Sequence, residues 1–393
     1  MTTDPALAVL PGGRDETARR IAGAVLGLAA GDAAGWPAAR HRSAVLPPWT
    51  RRLAGELDRF AELEGTTALP VPLALNVSPA PLALGPSDDA EWAAWTALAV
   101  LAADGTGDEA IAAALRTAWL ALADRADDAD PVPAHRRLRA RISVRAALAN
   151  LAAGLRPPVT GHDNPHYFDD AACPRAVVLA ALRPGEPERA ADLAAVDARY
   201  TQDGDGVHGA RAVAAAVAAA LGGAGTHQAV RAAVRQLPPD TEIGRNAAAA
   251  LDIARDAVAR SGGPGHRAAF TAVPLLEPRI IDHVYSYGVA AAETVPVALA
   301  LTWASGGDLT AAVPAAACLS RIADSAPSLT GALTGAVGGI DTLPDPWART
   351  CATLLGCAHP DLEGHDLAAT AARLAALAPH PPCGPRNARL DSA

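Results

Sequence analysis

The segment with the most evident chemistry is Ser87-Asp88-Asp89, which stands at the start of a predicted helix. A serine or a carboxylate in this place is typical of a helix cap, and Glu91 follows Asp88 at the spacing of a capping box. Two adjacent carboxylates exceed what capping needs, and the helix dipole offsets only part of their repulsion. Since Mg²⁺ prefers carboxylate and hydroxyl oxygens, the segment predicts either a plain cap or part of a metal site.

A second segment of the same kind lies far along the chain. Asp324 and Ser325 also precede a predicted helix, and taken alone they too are typical of capping. Together the two segments supply five oxygen-bearing side chains, which are the ligand type of a hard cation.

Helices must position these segments. Half of the 393 residues are hydrophobic, only 4% are aromatic, and much of the apolar mass is alanine, the strongest helix former. Glycine and proline separate the alanine-rich stretches. We predict an all-α protein, a single-domain orthogonal multi-helix fold. An N-terminal segment over 1–16, the helical domain over 17–378 and a Pro-rich, disordered tail over 379–393 are expected.

The first helix is predicted from Asp15 to Ala34. It carries glycines four residues apart on one face, which predicts close packing against another backbone: Gly23, Gly27, Gly31 and Gly35. Further helices are predicted at 87–103, 109–124, 136–155, from 174, from 186, 206–221, 226–236, 243–261, 290–304, 308–320, 326–338 and 345–357.

Composition and charge also indicate which binding partners and which cellular compartment to expect. A net charge of −9 argues against broad nucleic-acid binding. The longest apolar run, 21–31, is too short to span a membrane, and no signal peptide is visible in 1–13. The five cysteines lack ligand spacing, so reduced thiols are expected. We expect a cytoplasmic protein that binds neither nucleic acid nor membranes.

An arginine-rich segment follows an acidic loop. Its members are spread around the helix predicted over 136–155, so we expect a solvated face that neutralises the loop rather than a ligand site. These arginines are Arg136, Arg137, Arg139, Arg141 and Arg145.

The order of the motifs over residues 17–357 resembles the ADP-ribosylglycohydrolase family. The first helix ends in Gly31-Asp32-Ala-Ala-Gly35, which is similar to the family's Gly-Asp-Ala-Leu-Gly motif. Other segments similar to family motifs are 87–89, 164–167, 183–194, 200–209, 293–296, 331–336 and 343–347.

This resemblance implies a cleft with a Mg²⁺ or Mn²⁺ centre, in which the bond joining ADP-ribose to arginine, serine or another acceptor is hydrolysed. Cations can orient ribose hydroxyls and activate water for a reaction through an oxocarbenium-like state. By this resemblance Ser87, Asp88 and Asp89 would bind metal from one helix start, and Asp324 and Ser325 from the other. Asp88, Asp89 and Asp324 would be the catalytic residues.

Two positions depart from the family pattern. Ile322 stands where the first aspartate of an Asp-x-Asp-Ser/Thr motif is expected, and Ala39 stands where a glutamate is expected. The loss of two carboxylates lowers the negative charge that would hold two divalent ions, so we predict one Mg²⁺ or Mn²⁺ ion.

Other residues in and around these motifs are candidates for substrate binding. Arg40 could hold a pyrophosphate through bidentate contacts, or could be a solvated loop arginine. Trp36 and Trp92 could stack on an adenine, although packing of Trp92 against Trp95 in the core is the favoured alternative. The residues expected to contact substrate are Asp32, Trp36, Arg40, Glu91, Trp92, Asn164, Tyr167 and Asp203.

Three functions remain open from the sequence. The first is a metal-dependent hydrolase that cleaves a ribosyl glycosidic bond of an ADP-ribosyl, NAD-derived or nucleoside-like substrate, free or on an ADP-ribosylated protein. The second is a catalytically degenerate ADP-ribose or nucleotide binder, which Ile322 and Ala39 favour. The third is a repurposed enzyme of secondary metabolism. The retained oxygen ligands favour hydrolysis.

Overall fold

The computed structural model describes residues 15–35, 85–124, 138, 140–282 and 288–379. Within these ranges regular secondary structure is helical, and β-type pairing is limited to two isolated bridges, between Asp169 and Ala290 and between Thr353 and Asp366. The prediction of an all-α protein is therefore confirmed. None of the helices in the described ranges is long and apolar enough to cross a membrane.

Sixteen α-helices follow one another in the described ranges. They are α1 (Asp15–Ala34), α2 (Asp88–Leu101), α3 (Asp108–Asp124), α4 (Ile142–Ala152), α5 (Val159–His162), α6 (Ala172–Ala181), α7 (Pro187–Ala198), α8 (Gly204–Leu221), α9 (Thr226–Val234), α10 (Glu242–Ser261), α11 (His266–Ile280), α12 (Ala291–Ser305), α13 (Leu309–Ala317), α14 (Ala326–Gly338), α15 (Asp345–Cys351) and α16 (Leu367–Leu377).

Most predicted helices occur, but several bounds differ. The helix predicted from 136 begins only at Ile142, because the backbone of Arg141 is extended, with ψ of 161°. The helix predicted to end at 357 ends at Cys351. The sequence pattern does not predict α11, which contains Pro274 and Pro278, residues that normally interrupt a helix since they lack an N–H. Nor does it predict α16.

Alanine builds much of the core, as the composition predicted. In α8 the residues from Ala212 to Leu221 are buried apart from the half-buried Ala219. This helix packs against α6, α7 and α9. Because alanine leaves little side-chain volume between helices, neighbouring backbones approach closely all round α8.

The glycine face of α1 lies directly against α14. A Cβ atom added to Gly27 would overlap the carbonyl oxygen of Gly331, and one added to Gly23 would overlap that of Gly335. The same holds for Gly31 against the carbonyl of Pro327. The predicted close packing is therefore confirmed, and it brings the end of α1 next to the start of α14.

Candidate active site

Asp32, in the last turn of α1, determines how α2 begins. Its buried carboxylate accepts hydrogen bonds from the backbone N–H of Ser87 at 2.6 Å and of Ala90 at 3.1 Å, and from the hydroxyl of Ser87. It satisfies N–H groups that a helix leaves without a partner at its start. Asp32, predicted to contact substrate, thus holds the start of α2 in place.

The Ser-Asp-Asp segment is completely buried at the start of α2. Ser87 makes no side-chain capping hydrogen bond, and Asp32 accepts hydrogen bonds from the start of the helix instead. The carboxylate of Glu91 binds the N–H groups of residues 357–359 rather than this helix start, so the capping-box interpretation is wrong for this helix. Asp89 accepts a hydrogen bond from the hydroxyl of Ser328, in the first turn of α14. The two helix starts singled out in the sequence are thus in contact.

The guanidinium of Arg141 lies between these carboxylates. Its Nε is 3.4 Å from Asp88 Oδ2, and its Nη2 is 3.1 Å from Asp89 Oδ1. Nη2 also lies 3.7 Å from Asp324 Oδ2, and Nη1 forms an ion pair with Asp170. We refer to the carboxylates of Asp88, Asp89, Asp170 and Asp324 as the acidic cluster.

Arg141 also donates a hydrogen bond of 2.7 Å from Nη2 to the hydroxyl of Ser325. Its side chain is only 5% exposed. The expectation that the arginines of 136–145 form a solvated face is therefore wrong for Arg141, because the chain is extended there and the side chain turns inward. Arg145, one turn further on, is exposed as expected.

Burial and mutual repulsion alter the acidity of the cluster. Burial, followed by the charges of Asp88 and Asp32, raises the pKa of Asp89 well above its ordinary value, against the opposing effect of Arg141. Burial raises the pKa of Asp170 to about 6. The carboxylates raise the pKa of Arg141, although burial opposes them, so its charge is permanent. The cluster thus combines one fixed cation with carboxyl groups that bind protons readily.

Asp170 was not singled out in the sequence. An isolated β-bridge between Asp169 and Ala290 holds Asp170 in position. The N–H of Asp170 donates to the carbonyl of Val289 at 2.9 Å, and the N–H of Ala291 donates to the carbonyl of Phe168 at 3.1 Å. A signal was available: Asp169 and Asp170 stand as an acidic pair just before the apolar helix α6, in the same pattern as residues 88–89.

The predicted Mg²⁺ or Mn²⁺ site comprised Ser87, Asp88, Asp89, Asp324 and Ser325. It stays a prediction, and the arrangement does not fit it. In the part of the chain that the structure describes, no group of three His, Cys, Asp or Glu side chains is arranged to hold a metal ion. Instead the oxygens of Asp88, Asp89 and Ser325 converge on the nitrogens of Arg141.

Glu91, another predicted substrate contact, is committed to the backbone. Its buried carboxylate accepts hydrogen bonds from the N–H groups of Cys357 at 2.8 Å and of Ala358 and His359 at 2.7 Å each. Burial raises its pKa, and these hydrogen bonds partly offset the rise. Glu91 thereby fixes the turn at 357–359 over the start of α2.

Trp92 lies in an aromatic cluster in the core. Its ring stacks on Trp119 at a centroid distance of 6.0 Å and meets Trp95 and His359 edge to face. Trp119 stacks in turn on Tyr200. The favoured alternative, core packing of Trp92 against Trp95, is what the structure has.

The predicted contacts from the middle of the chain lie in connecting segments. Asn164 donates to the carbonyl of Ser143 at 2.8 Å, and so helps to fix the start of α4 beside Arg141. Asp203 caps α8 and pairs with the exposed His162. Tyr167 is 45% exposed. The hydrogen bonds of Asn164 and Asp203 therefore hold loops and helix starts in place.

Several of the sequence predictions fall on residues outside the described ranges. They concern Trp36, Ala39 and Arg40, the arginines Arg136, Arg137 and Arg139, and residues 1–14 and 380–393 of the terminal segments. Ile322 is described: it is completely buried in an apolar cluster with Leu319 and Ala326, and it lies two residues before Asp324.

Comparison with known proteins matches this chain to one family over almost its whole length. The family model described as ADP-ribosylglycohydrolase matches residues 14–382. The chain therefore belongs to the ADP-ribosylglycohydrolase family, and a glycohydrolase-type function is supported.

A solved structure agrees with the fold. The structure titled "ADP-ribosylglycohydrolase-related protein complex" is 20% identical, with a TM-score of 0.51, and the alignment covers 93% of this chain and 99% of that one. At this identity the likeness shows the fold alone. No curated protein is found to match the chain.

Proposed function

We propose that the chain hydrolyses a ribosyl glycosidic bond of an ADP-ribosyl or NAD-derived substrate at the acidic cluster. The substrate is either a small molecule or an ADP-ribosylated protein. The observation that carries the proposal is the meeting of buried carboxyl groups from two helix starts, of which Asp89 has a strongly raised pKa. Glycoside hydrolysis needs a carboxylic acid and a carboxylate near one anomeric carbon.

In this proposal the protonated carboxyl of Asp89 acts as the general acid. It donates its proton to the leaving atom as the bond to the anomeric carbon breaks. The oxygen of a water molecule forms the new bond, and its proton passes to the carboxylate of Asp324 or Asp88. The fixed positive charge of Arg141 stabilises the carboxylate that Asp89 becomes, since Nη2 lies 3.1 Å from Asp89 Oδ1.

Ribose recognition would come from the same helix starts. Their hydroxyls, Ser325 and Ser328, lie beside Arg141 and Asp89 respectively. A predicted divalent ion has no step in this mechanism, because the oxygens that would bind it are turned towards Arg141.

Binding without hydrolysis is the second candidate. Arg141 engages Asp88, Asp89 and Asp170 at once, so these carboxylates face a side chain of the protein itself. This observation favours a protein that retains the fold to bind ADP-ribose or a related nucleotide.

The experiment that separates the two candidates measures release of ADP-ribose. Peptides ADP-ribosylated on arginine or on serine are incubated with the protein, and free ADP-ribose is quantified by chromatography and mass spectrometry. We expect release by the unaltered protein and a loss of about 100-fold or more with Asp89→Asn. The matched control is Asp256→Asn, at an exposed position of α10, which should leave the rate unchanged.

Calorimetry with ADP-ribose completes the comparison. Binding of ADP-ribose without any release from either peptide would reject hydrolysis of these substrates in favour of the binding function. Equal rates for Asp89→Asn and the unaltered protein would reject Asp89 as the general acid.

A further inference from the structure

Arg141 stands where a bound cation of the acidic cluster would stand. Its Nη2 contacts the α14 side of the cluster, at 2.7 Å from Ser325 Oγ and 3.7 Å from Asp324 Oδ2. Its Nε and Nη2 contact the α2 side, through Asp88 and Asp89. One side chain therefore joins both sets of oxygens that the family resemblance assigns to a metal ion.

We propose that the guanidinium of Arg141 is the resident cation of the acidic cluster and that it excludes divalent metal ions from it. This inference goes beyond the proposed function, because it concerns what neutralises the cluster whether or not hydrolysis occurs.

The charge balance supports a single positive charge. Ile322 fills the position where a further carboxylate would have been expected, and it packs among apolar side chains. A cluster with fewer carboxylates needs less positive charge. One guanidinium, in contact with all four remaining carboxylates, can thus stand in place of a divalent ion.

The geometry also suits a guanidinium better than a metal ion. Mg²⁺ requires about six oxygens at about 2.0–2.1 Å in an octahedron. A guanidinium is planar, carries its charge over three nitrogens and is weakly hydrated, which favours burial among several carboxylates. Here all three nitrogens of Arg141 are engaged, by Asp88 at Nε, Asp170 at Nη1 and Asp89 at Nη2.

The backbone holds Arg141 in this position. Its carbonyl accepts the first hydrogen bond of α4, from the N–H of Arg145 at 3.0 Å. Asn164 binds the carbonyl of Ser143 two residues further on. A metal ion could enter only after the side chain had left a pocket in which it is 5% exposed, and that movement would break its ion pairs together.

The test is a titration with Mn²⁺ alone, followed by the loss of the free-ion signal in electron paramagnetic resonance and by calorimetry. We expect no stoichiometric binding by the unaltered protein up to about 1 mM Mn²⁺, a range that covers weak protein sites. Arg141→Ala should bind Mn²⁺ at least about tenfold more tightly, and Asp88→Asn in that background should remove the binding.

The matched control is Arg145→Ala, which removes the exposed arginine four residues further along, in the first turn of α4, and should behave like the unaltered protein. Without metal, Arg141→Ala should melt at least about 5 °C lower, and Mn²⁺ should restore part of this loss.

Two results would overturn the inference. The first is stoichiometric Mn²⁺ binding by the unaltered protein that Asp88→Asn abolishes. The second is a folded Arg141→Ala protein that still binds no Mn²⁺, because something other than Arg141 would then exclude the ion.

If Arg141→Ala folds only with Mn²⁺ present, the inference is supported. If it does not fold in either condition, the titration of the unaltered protein decides. These measurements involve no turnover, so their failure is distinct from failure of the proposed hydrolysis.

Discussion

Two buried arginines of this protein have opposite surroundings. Arg175, in α6, is completely buried and forms an ion pair with one carboxylate, that of Asp197, at 2.6 Å. Its remaining N–H groups donate to the carbonyl of Ala171 and the hydroxyl of Thr201, both at 2.8 Å, and its guanidinium lies over the ring of Trp119. Cation and anion are matched one to one in this region.

Arg141 instead faces the four carboxylates of the acidic cluster. The excess negative charge is buried, and the pKa of Asp89 and Asp170 is raised as a consequence of burial and of neighbouring charge. Comparison of the two arginines distinguishes an ion pair that supports the scaffold from an arrangement poised to exchange protons. Perturbed carboxyl groups of the second kind are a mark of functional sites.

The largest change in the free energy of unfolding is expected at the ion pair of Arg175 with Asp197, where the charges are balanced. Asp197→Asn should lower the free energy of unfolding by about 4 kcal/mol, because Arg175 would remain buried without its counter-charge. Denaturation by urea measures this change. Glu188→Gln is the control, since its pairing with Arg235 is exposed and should contribute less than about 1 kcal/mol. A change no greater than that of the control would show that the pair does not stabilise the core.

A smaller effect should appear as a dependence of the free energy of unfolding on pH, caused by the acidic cluster. The pKa of Asp170 is raised to about 6 in the folded state, so the folded protein binds a proton more readily than the unfolded chain. Its contribution to stability is therefore greatest below pH 4 and is lost as the pH rises to about 6. The loss amounts to about 3 kcal/mol.

Unfolding by urea at pH 4.5, 5.5 and 6.5 tests this dependence. Asp170→Asn should remove that part of the slope, whereas Asp256→Asn, at an exposed site, should retain it. Parallel profiles for Asp170→Asn and the unaltered protein would contradict a raised pKa at Asp170.

The smallest change in the free energy of unfolding is expected from removing one of the four carboxylates around Arg141. Asp324→Asn should change the free energy of unfolding by less than about 1 kcal/mol, because Arg141 keeps three carboxylate partners and the repulsion within the cluster decreases. Chemical denaturation at pH 7 measures this change, and Asp197→Asn is measured under the same conditions for comparison. A loss as large as that of Asp197→Asn would remove the distinction between the two regions.

The features that the sequence predicted correctly depend on local pattern. Alanine-rich stretches between glycine and proline residues predict helices, and the spacing of Gly23, Gly27 and Gly31 predicts a close helix contact. The bounds of α1 agree at both ends. Where local rules fail, tertiary packing decides: α11 tolerates Pro274 and Pro278 within a helix packed against α10 and α12.

The acidic cluster was predicted only in part, for a physical reason. Ser87–Asp89 and Asp324–Ser325 carry a local signature, because both stand at helix starts. Arg141 stands among other arginines in the sequence, and only its extended backbone turns it inward. Likewise Asp32 has no neighbour in sequence that indicates its hydrogen bonds to Ser87 and Ala90, which come from contact between helices.

The contact between the glycine faces has a consequence for the timing of folding. α1 (Asp15–Ala34) emerges from the ribosome long before its partner α14 (Ala326–Gly338). At typical synthesis rates of about 5–20 residues per second, the wait is on the order of tens of seconds. Until then α1 lacks the backbone surface that its glycines fit, and the acidic cluster lacks Asp324 and Ser325. The joining of these two helices and the completion of the cluster therefore belong to the same late step, in which residues far apart in the sequence meet.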